Sequence, residues 1–442
     1  MTSQKQAVAL CLAANLAQAN MRLPSPTTWL QDKPDSRLAA SVAEFFTLMG
    51  EDDDTASMET RSGEIVALGN KKVKMLDDTL VSDYINIAYW DYDDTQEDPD
   101  LNPEDYEVEY DSSAKLYFLM AESRSEPDKD PLIIWLQGGP GCSSMLGLYT
   151  ENGPYNFKYS KDHIKDPFEL ERNDFSWNNE ANVMYVDQPL GTGFSFTDTL
   201  GSFRWGEEQI AQDFYIFLHN FMRKYPEFQG REIFITGESY AGHYIPVIAR
   251  TLQLMEDPWI NLGGLAIGNG WVDPFYQYPA YPQFAESHNL ISYGHSLVLE
   301  FGYGICQFAL IFHVPVITST FCSMIGMTVV SPGLPDFNIY DIRLPCERMG
   351  LCYPDDHLWQ LLNSYEYRAV MEIPIESTDL WEECATLPHL FLLFDFETSW
   401  GYYLAPLLDS GVPILIYNGD QDYICNWIGG SKWTDALVWD GQ

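Results

Sequence analysis

Positive charge is what this 442-residue chain has least of: 24 Lys and Arg stand against 65 Asp and Glu, a formal net charge of -41. That balance excludes a nucleic-acid partner, because backbone phosphates would be repelled. The acidity serves solubility, and it also suits an acidic compartment in which part of the charge is titrated away. No Asn-x-Ser/Thr sequon occurs, so the usual mark of N-glycosylation is missing. There is no internal repeat. Nor is there an uninterrupted apolar run that could span a bilayer. Phe301 to Val330 has the length, but Gln307, His313 and Pro315 break it. A buried or interface-forming element is expected there, and a membrane span is not.

What is present is enough for a folded core, with 46% hydrophobic and 14% aromatic residues. The length fits one large α/β domain with an insertion, or two ordinary domains. A polar start (Met1 to Gln6) leads into the apolar stretch Ala7 to Ala14 and then Ala17-Gln18-Ala19, the pattern of a secretory signal peptide over residues 1–19. Its removal takes Cys11 and leaves seven of the eight cysteines in an oxidising lumen, three pairs and one unpaired. Residues 20–80 are polar and weakly patterned, as a pro-segment or loose arm would be. The acidic run from Asp91 to Asp111 contains no Lys or Arg and reads as a solvated loop, since its spacing fixes no metal-ligand geometry.

From about residue 81 the pattern is that of a single α/β domain. Short apolar runs recur at Leu132 to Leu136, Val183 to Val186, Ile233 to Thr236, Leu265 to Gly268 and Ile414 to Tyr417. Helix-length segments such as Glu207 to Lys224 and Ala241 to Met255 separate several of them. Near-continuous apolar strands alternating with helices predict a mostly parallel sheet covered on both faces. Residues 275–385 break this rhythm and read as an inserted cap.

Three loops carry candidate chemistry. In Gly237-Glu238-Ser239-Tyr240-Ala241, an apolar strand precedes a serine flanked by small residues, and a helix follows. That is the sharp turn which presents a nucleophilic hydroxyl, although the fifth position is Ala where the general pattern has Gly. In Trp135-Leu136-Gln137-Gly138-Gly139-Pro140-Gly141, a glycine-rich loop after a strand can turn backbone N–H groups toward a developing oxyanion. Read alone, it could equally be a plain tight turn. In Asn418-Gly419-Asp420-Gln421-Asp422, acids follow a late strand, where a hydrolase places the residue that orients its histidine.

Together these loops resemble the serine carboxypeptidase family, which is built on the α/β-hydrolase fold. So do Ser176-Trp177-Asn178, Asp187-Gln188-Pro189, Gly191-Thr192-Gly193-Phe194-Ser195 and Gly242-His243-Tyr244-Ile245-Pro246. The resemblance implies that Ser239 is the nucleophile, Asp422 the triad acid, and the N–H groups of Gly139 and Tyr240 the oxyanion hole. It implies recognition of a peptide's C-terminal carboxylate by Trp135, Gln137, Glu151 and Glu238, with Gln137 standing where the family has Asn. It also implies disulfides Cys142–Cys384 and Cys346–Cys352, with Cys425 free. It leaves the pairing of Cys306 and Cys322 open. No metal or cofactor is implied. The partners are peptide or protein C-termini and, as a further possibility, a second copy in a homodimer. The implied location is the secretory pathway, ending in a vacuole, a lysosome or outside the cell.

Two carboxyls held close cannot both ionise cheaply, so Glu151 and Glu238 should share a proton and favour acidic pH. The fold's triad order is Ser, Asp, His, yet no histidine follows Asp422. His243 and His389 are expected to pack structurally and not to act as the base. The reading is therefore a serine carboxypeptidase that works through an acyl-enzyme, with a hydrolase domain over 81–442 that is expected to be truncated at the C-terminus before its triad histidine. The alternatives are a peptide-binding relative and an acyltransferase of the same family.

Overall fold

The computed structural model describes residues 57–60, 63–69, 71–87, 114–157, 169–312, 322, 337–346, 352–353, 356–374 and 380–441. The expected signal peptide, the first part of the expected arm, the acidic run and most of 313–330 lie outside them.

Ten strands form one sheet in the order β1-β2-β3-β4-β5-β9-β6-β10-β11-β14. They are β1 (Ser57–Thr60), β2 (Gly63–Gly69), β3 (Lys72–Met75), β4 (Asp78–Asn86), β5 (Lys115–Ala121), β6 (Leu132–Leu136), β9 (Asn182–Asp187), β10 (Glu232–Glu238), β11 (Asn261–Gly268) and β14 (Ile414–Tyr417). Two small hairpins, β7 (Tyr155–Phe157) with β8 (Leu170–Arg172) and β12 (Phe337–Asn338) with β13 (Asp341–Pro345), stand apart. From β9 to β14 all neighbours are parallel, and from β1 to β5 all are antiparallel.

The expected loose arm therefore stops short of residue 80, because Ser57–Asn86 are strands of the main sheet. In β3 and β4, Val73, Met75 and Leu80 are buried among polar neighbours, too short an alternation to stand out in the sequence. Arg124 fixes this edge by a bidentate bond to the buried Asp78 (Nε–Oδ1 2.7 Å, Nη2–Oδ2 2.9 Å).

Strand alternation builds two cores. Leu116, Phe118 and Met120 of β5 face one, while Tyr117, Leu119 and Ala121 face the other. Helices α1 (Glu207–Lys224) and α2 (Ala241–Met255) cover the first face, and segments from 145–157 and 358–381 cover the second. Burying each such large apolar side chain contributes about 1.5–3 kcal/mol. Between β11 and β14 the chain leaves the sheet for 269–413, a stretch that includes α3 (Tyr293–Ile311); α4 (Trp427–Ala436) follows β14.

The parallel strands end in register. Leu136 pairs with Gly237, Glu238 with Gly268, and Gly268 with Tyr417. Every loop that carried candidate chemistry leaves the same edge of the sheet, the usual place for a ligand in an open parallel sheet.

Candidate active site

Ser239 sits between β10 and α2 with φ +57°, a left-handed conformation that is strained for serine. Three backbone bonds hold it there. Its N–H donates to Gly268 O (3.1 Å), and its carbonyl accepts from Gly242 N (2.9 Å) and Trp271 N (2.8 Å). The steric demand of the turn falls on Gly237, where a Cβ would strike the Leu136 carbonyl oxygen and come within 2.9 Å of Ala241 Cβ. Ala241 itself is accommodated, so the departure at the fifth position is harmless.

The glycine loop packs directly against this elbow. A Cβ on Gly138 would lie 2.6 Å from Tyr240 N and 2.8 Å from Ser239 Cβ. Gly139 adopts φ +112°, which only glycine tolerates. Among the described residues, neither the Gly139 N–H nor the Tyr240 N–H has a protein acceptor. The loop is held from behind by the buried Asp187, which accepts from Ser143 Oγ (2.7 Å) and Ser144 N (2.9 Å). It is also tied by the Cys142–Cys384 disulfide.

Beside the nucleophile, Gln137 gathers the other three expected carboxylate-binding residues. Its Oε1 accepts from Trp135 Nε1 (2.8 Å), and its Nε2 donates to Glu238 Oε1 (2.7 Å) and Glu151 Oε1 (3.2 Å). Enclosure and the neighbouring Glu238 carboxyl raise the Glu151 pKa; Glu238 is also raised, chiefly by enclosure. The Glu151 side chain keeps solvent access. The second carboxyl beside it raises its pKa as well as burial does.

Asp422 is buried past the end of β14, and Asp420 is exposed. Asp422 accepts from Asn269 Nδ2 (2.7 Å), Ile424 N (3.0 Å) and Cys425 N (3.1 Å). Burial pushes its pKa up to about 7 against these donors, and the Glu238 charge adds to the rise. The free Cys425 lies buried beside the Ser239 hydroxyl, and burial pushes its thiol well up. No imidazole among the described residues contacts Asp422. His243 is buried and bonded through Nδ1 to Trp271 O (2.5 Å), and burial lowers its pKa to about 4. His389 lies against Pro140 O (Nδ1–O 3.3 Å).

Sequence reasoning missed Asn269, whose amide also ties Gly419 N (3.0 Å) and so aligns the Asp422 loop with β11. Its only local signal is its place directly after a strand. The structure pairs Cys346 with Cys352, and Cys306 with Cys322.

A family model for serine carboxypeptidases matches residues 105–442. The chain belongs to that family. Serine carboxypeptidase S10 family member 1 of Dictyostelium discoideum is 37% identical over 340 residues, 76% of this chain and 78% of that protein. Serine carboxypeptidase-like 48 of Arabidopsis thaliana is 35% identical, over 76% of this chain and 66% of its own length. Among solved structures, Kex1(delta)p, a prohormone-processing carboxypeptidase from Saccharomyces cerevisiae, superposes with a TM-score of 0.68 at 27% identity. That likeness covers 83% of this chain and 78% of the yeast one. The likeness of this serine carboxypeptidase family member to its relatives includes the α/β-hydrolase fold. Among the described residues no helix is long and apolar enough to cross a membrane.

Proposed function

We propose that this site belongs to a serine carboxypeptidase that removes C-terminal residues from peptides at acidic pH through an acyl-enzyme. One observation carries the reading: the Gln137–Glu151–Glu238 cluster is joined to the elbow through Glu238, the residue directly before Ser239. A protonated carboxyl pair can donate to a substrate carboxylate, whereas an ionised pair repels it. The scissile carbonyl then falls at Ser239. Attack by Ser239 Oγ forms the new C–O bond, and the serine proton goes to a base. The oxyanion is received by the N–H groups of Gly139 and Tyr240. Collapse breaks the C–N bond, the base returns the proton to the leaving amine, and water hydrolyses the ester. Asp422 is buried where it would orient that base, a histidine that has no counterpart after Asp422 in this sequence. Three disulfides and one buried free thiol support passage through the secretory pathway.

A second reading is a peptide-binding protein that does not cleave, since the carboxyl cluster around Gln137 can receive a C-terminus whether or not Ser239 reacts. One experiment separates the two. Hydrolysis and binding of a blocked dipeptide are measured near pH 5 beside Ser239→Ala. Cleavage that Ser239→Ala abolishes supports the peptidase. Binding without cleavage, lost when the peptide's C-terminus is amidated, supports the second reading. If neither cleavage nor carboxylate-dependent binding occurs, both fail.

A further inference from the structure

Next to the elbow lies a buried acid pair that the proposed chemistry does not use. Glu207 opens α1 and Asp395 follows the expected cap; they are 1% and 8% exposed. Among the described residues neither carboxyl meets a Lys or Arg. The cation nearest to Glu207 in sequence, Arg204, is held by Asp213 (Nε–Oδ2 2.6 Å, Nη2–Oδ1 2.7 Å). Burying two acids together without a cation is costly, so a chain that keeps such a pair in one dry site marks it as a functional candidate.

What the pair touches supplies the reason. Asp395 Oδ2 accepts from the Tyr240 hydroxyl (3.2 Å) and from Trp400 Nε1 (2.9 Å). Its Oδ1 faces the start of α1, 3.4 Å from where a Cβ on Gly206 would stand. The main-chain N–H of this same Tyr240 is one of the two expected oxyanion donors. Tyr244, four residues on in α2 and fully buried, accepts from Gly141 N through its hydroxyl (3.2 Å). It thereby ties down the loop that carries the other expected donor, Gly139. The charges of Glu207 and Asp395 both reach the Tyr244 hydroxyl. The rings of Tyr240 and Tyr244 meet edge to face, with centroids 5.1 Å apart. Each half of the expected oxyanion hole is thus backed by a phenol, and both phenols by one acid pair.

We propose that Glu207 and Asp395 are positioning residues of the oxyanion hole, which fix Tyr240 and the Gly139–Gly141 loop from behind while touching no substrate themselves. The titratable groups facing the pair are Tyr240, Tyr244 and His243, whose imidazole burial keeps neutral. No cation among the described residues is there to balance a second negative charge. Two carboxylates in a low-dielectric site repel, and a single proton between them removes the repulsion. The anchor therefore stands at acidic pH. As pH rises and the proton leaves, Asp395 and the start of α1 move apart and Tyr240 is released. The Glu151–Glu238 pair governs binding of the substrate carboxylate, whereas this pair governs turnover. The effect on turnover rests on the peptidase reading; the anchoring does not.

Two measurements test this. In the first, crystal structures of the full chain and of Glu207→Gln are compared at about pH 5 and about pH 7.5. At the lower pH the Tyr240–Asp395 bond should stand in both proteins. At the higher pH it should open beyond about 3.5 Å in the wild type, with Tyr240 N and Gly139 N displaced from Ser239, and stay closed in Glu207→Gln. No turnover is needed for this readout, so it decides the anchoring even where the peptidase reading fails. The second is the pH profile for hydrolysis of a blocked dipeptide, with kcat and KM read separately. The alkaline fall of kcat should move to higher pH in Glu207→Gln, while KM follows the same course in both proteins. Tyr240→Phe keeps the main-chain donor and loses only the bond to Asp395; it should lower kcat about tenfold near pH 5 and leave KM unchanged. A Tyr240–Asp395 bond that stays closed in the wild type at the higher pH, a kcat profile that Glu207→Gln does not move, or an effect carried by KM alone would each overturn the proposal. A bond that opens as described in a chain that cleaves nothing would overturn the peptidase reading and support the anchoring.

Discussion

Glu207→Gln should stabilise this protein at neutral pH and do little below pH 4.5. Glu207 opens α1, is 1% exposed, and has both carboxyl oxygens without a hydrogen-bond partner among the described residues. Its polar neighbours are the Tyr240 hydroxyl and Asp395; Tyr240 donates to Asp395 Oδ2 (3.2 Å), as does Trp400 Nε1 (2.9 Å). Burial first, and then the Asp395 charge, raise the Glu207 pKa well above the ordinary carboxyl range; burial raises Asp395 as well. The folded state therefore binds a proton that the unfolded chain releases near pH 4.3. Stability is full below that pH and falls by about 1.4 kcal/mol per pH unit above it, until the folded pKa is passed. The loss continues for as long as the folded state keeps Glu207 protonated, and a glutamine at 207 does not suffer it. The assay is urea unfolding of both proteins at pH 4.5 and pH 7. The reasoning predicts near-equal stability at the lower pH and a more stable variant at the higher one. An equal difference at both values, or a variant less stable at pH 7, would refute it.

Glu238→Gln should flatten the pH dependence of peptide binding. Wild-type affinity is present while the Glu151–Glu238 pair keeps its proton and falls about tenfold per pH unit once it is lost, whereas the glutamine stays neutral; dissociation constants from pH 4.5 to 7.5 check this. Gly138→Ala places a Cβ 2.6 Å from Tyr240 N and should lower turnover of a blocked dipeptide by about 100-fold or more while changing KM little. Asp187→Ala leaves Ser143 Oγ, Ser144 N and Phe194 N without their acceptor in a dry site and should lower unfolding free energy by about 3 kcal/mol, measured in denaturant.

The features legible in the sequence were the ones written locally. The elbow at Ser239 is a strand, a small residue, a serine and a helix within ten positions, and the requirement for Gly237 follows from the turn alone. The parallel half of the sheet announced itself because strands buried on both faces must be apolar throughout. Strands β3 and β4 did not, since their buried Val73, Met75, Leu80 and Val81 stand beside Lys72, Lys74, Thr79 and Ser82 in short, mixed runs. The choice between Asp420 and Asp422 came from resemblance; in the structure Asp422 is the one of the two that is buried among donors, a contrast the sequence does not display. Asn269, Glu207 and Asp395 were illegible for a different reason. Each draws its chemistry from residues over a hundred positions away, or from the cost of being buried beside one, and no spacing rule reports that.

Gln137 shows how far a local argument reaches. From the sequence, one extra methylene beyond asparagine predicts a displaced amide and puts carboxylate affinity in doubt. In the structure the longer side chain reaches both glutamates at once, and its oxygen is taken by the Trp135 indole. Both of its N–H groups are thereby spent on Glu151 and Glu238. A peptide carboxylate arriving here must either displace one of those bonds or be received by the proton that the two carboxyls share. The second route costs no broken bond to Gln137. Under the proposed function, recognition would rest on the protonation of the pair more than on the amide, and binding would be more sensitive to pH than at a site whose amide is free to bind the substrate directly.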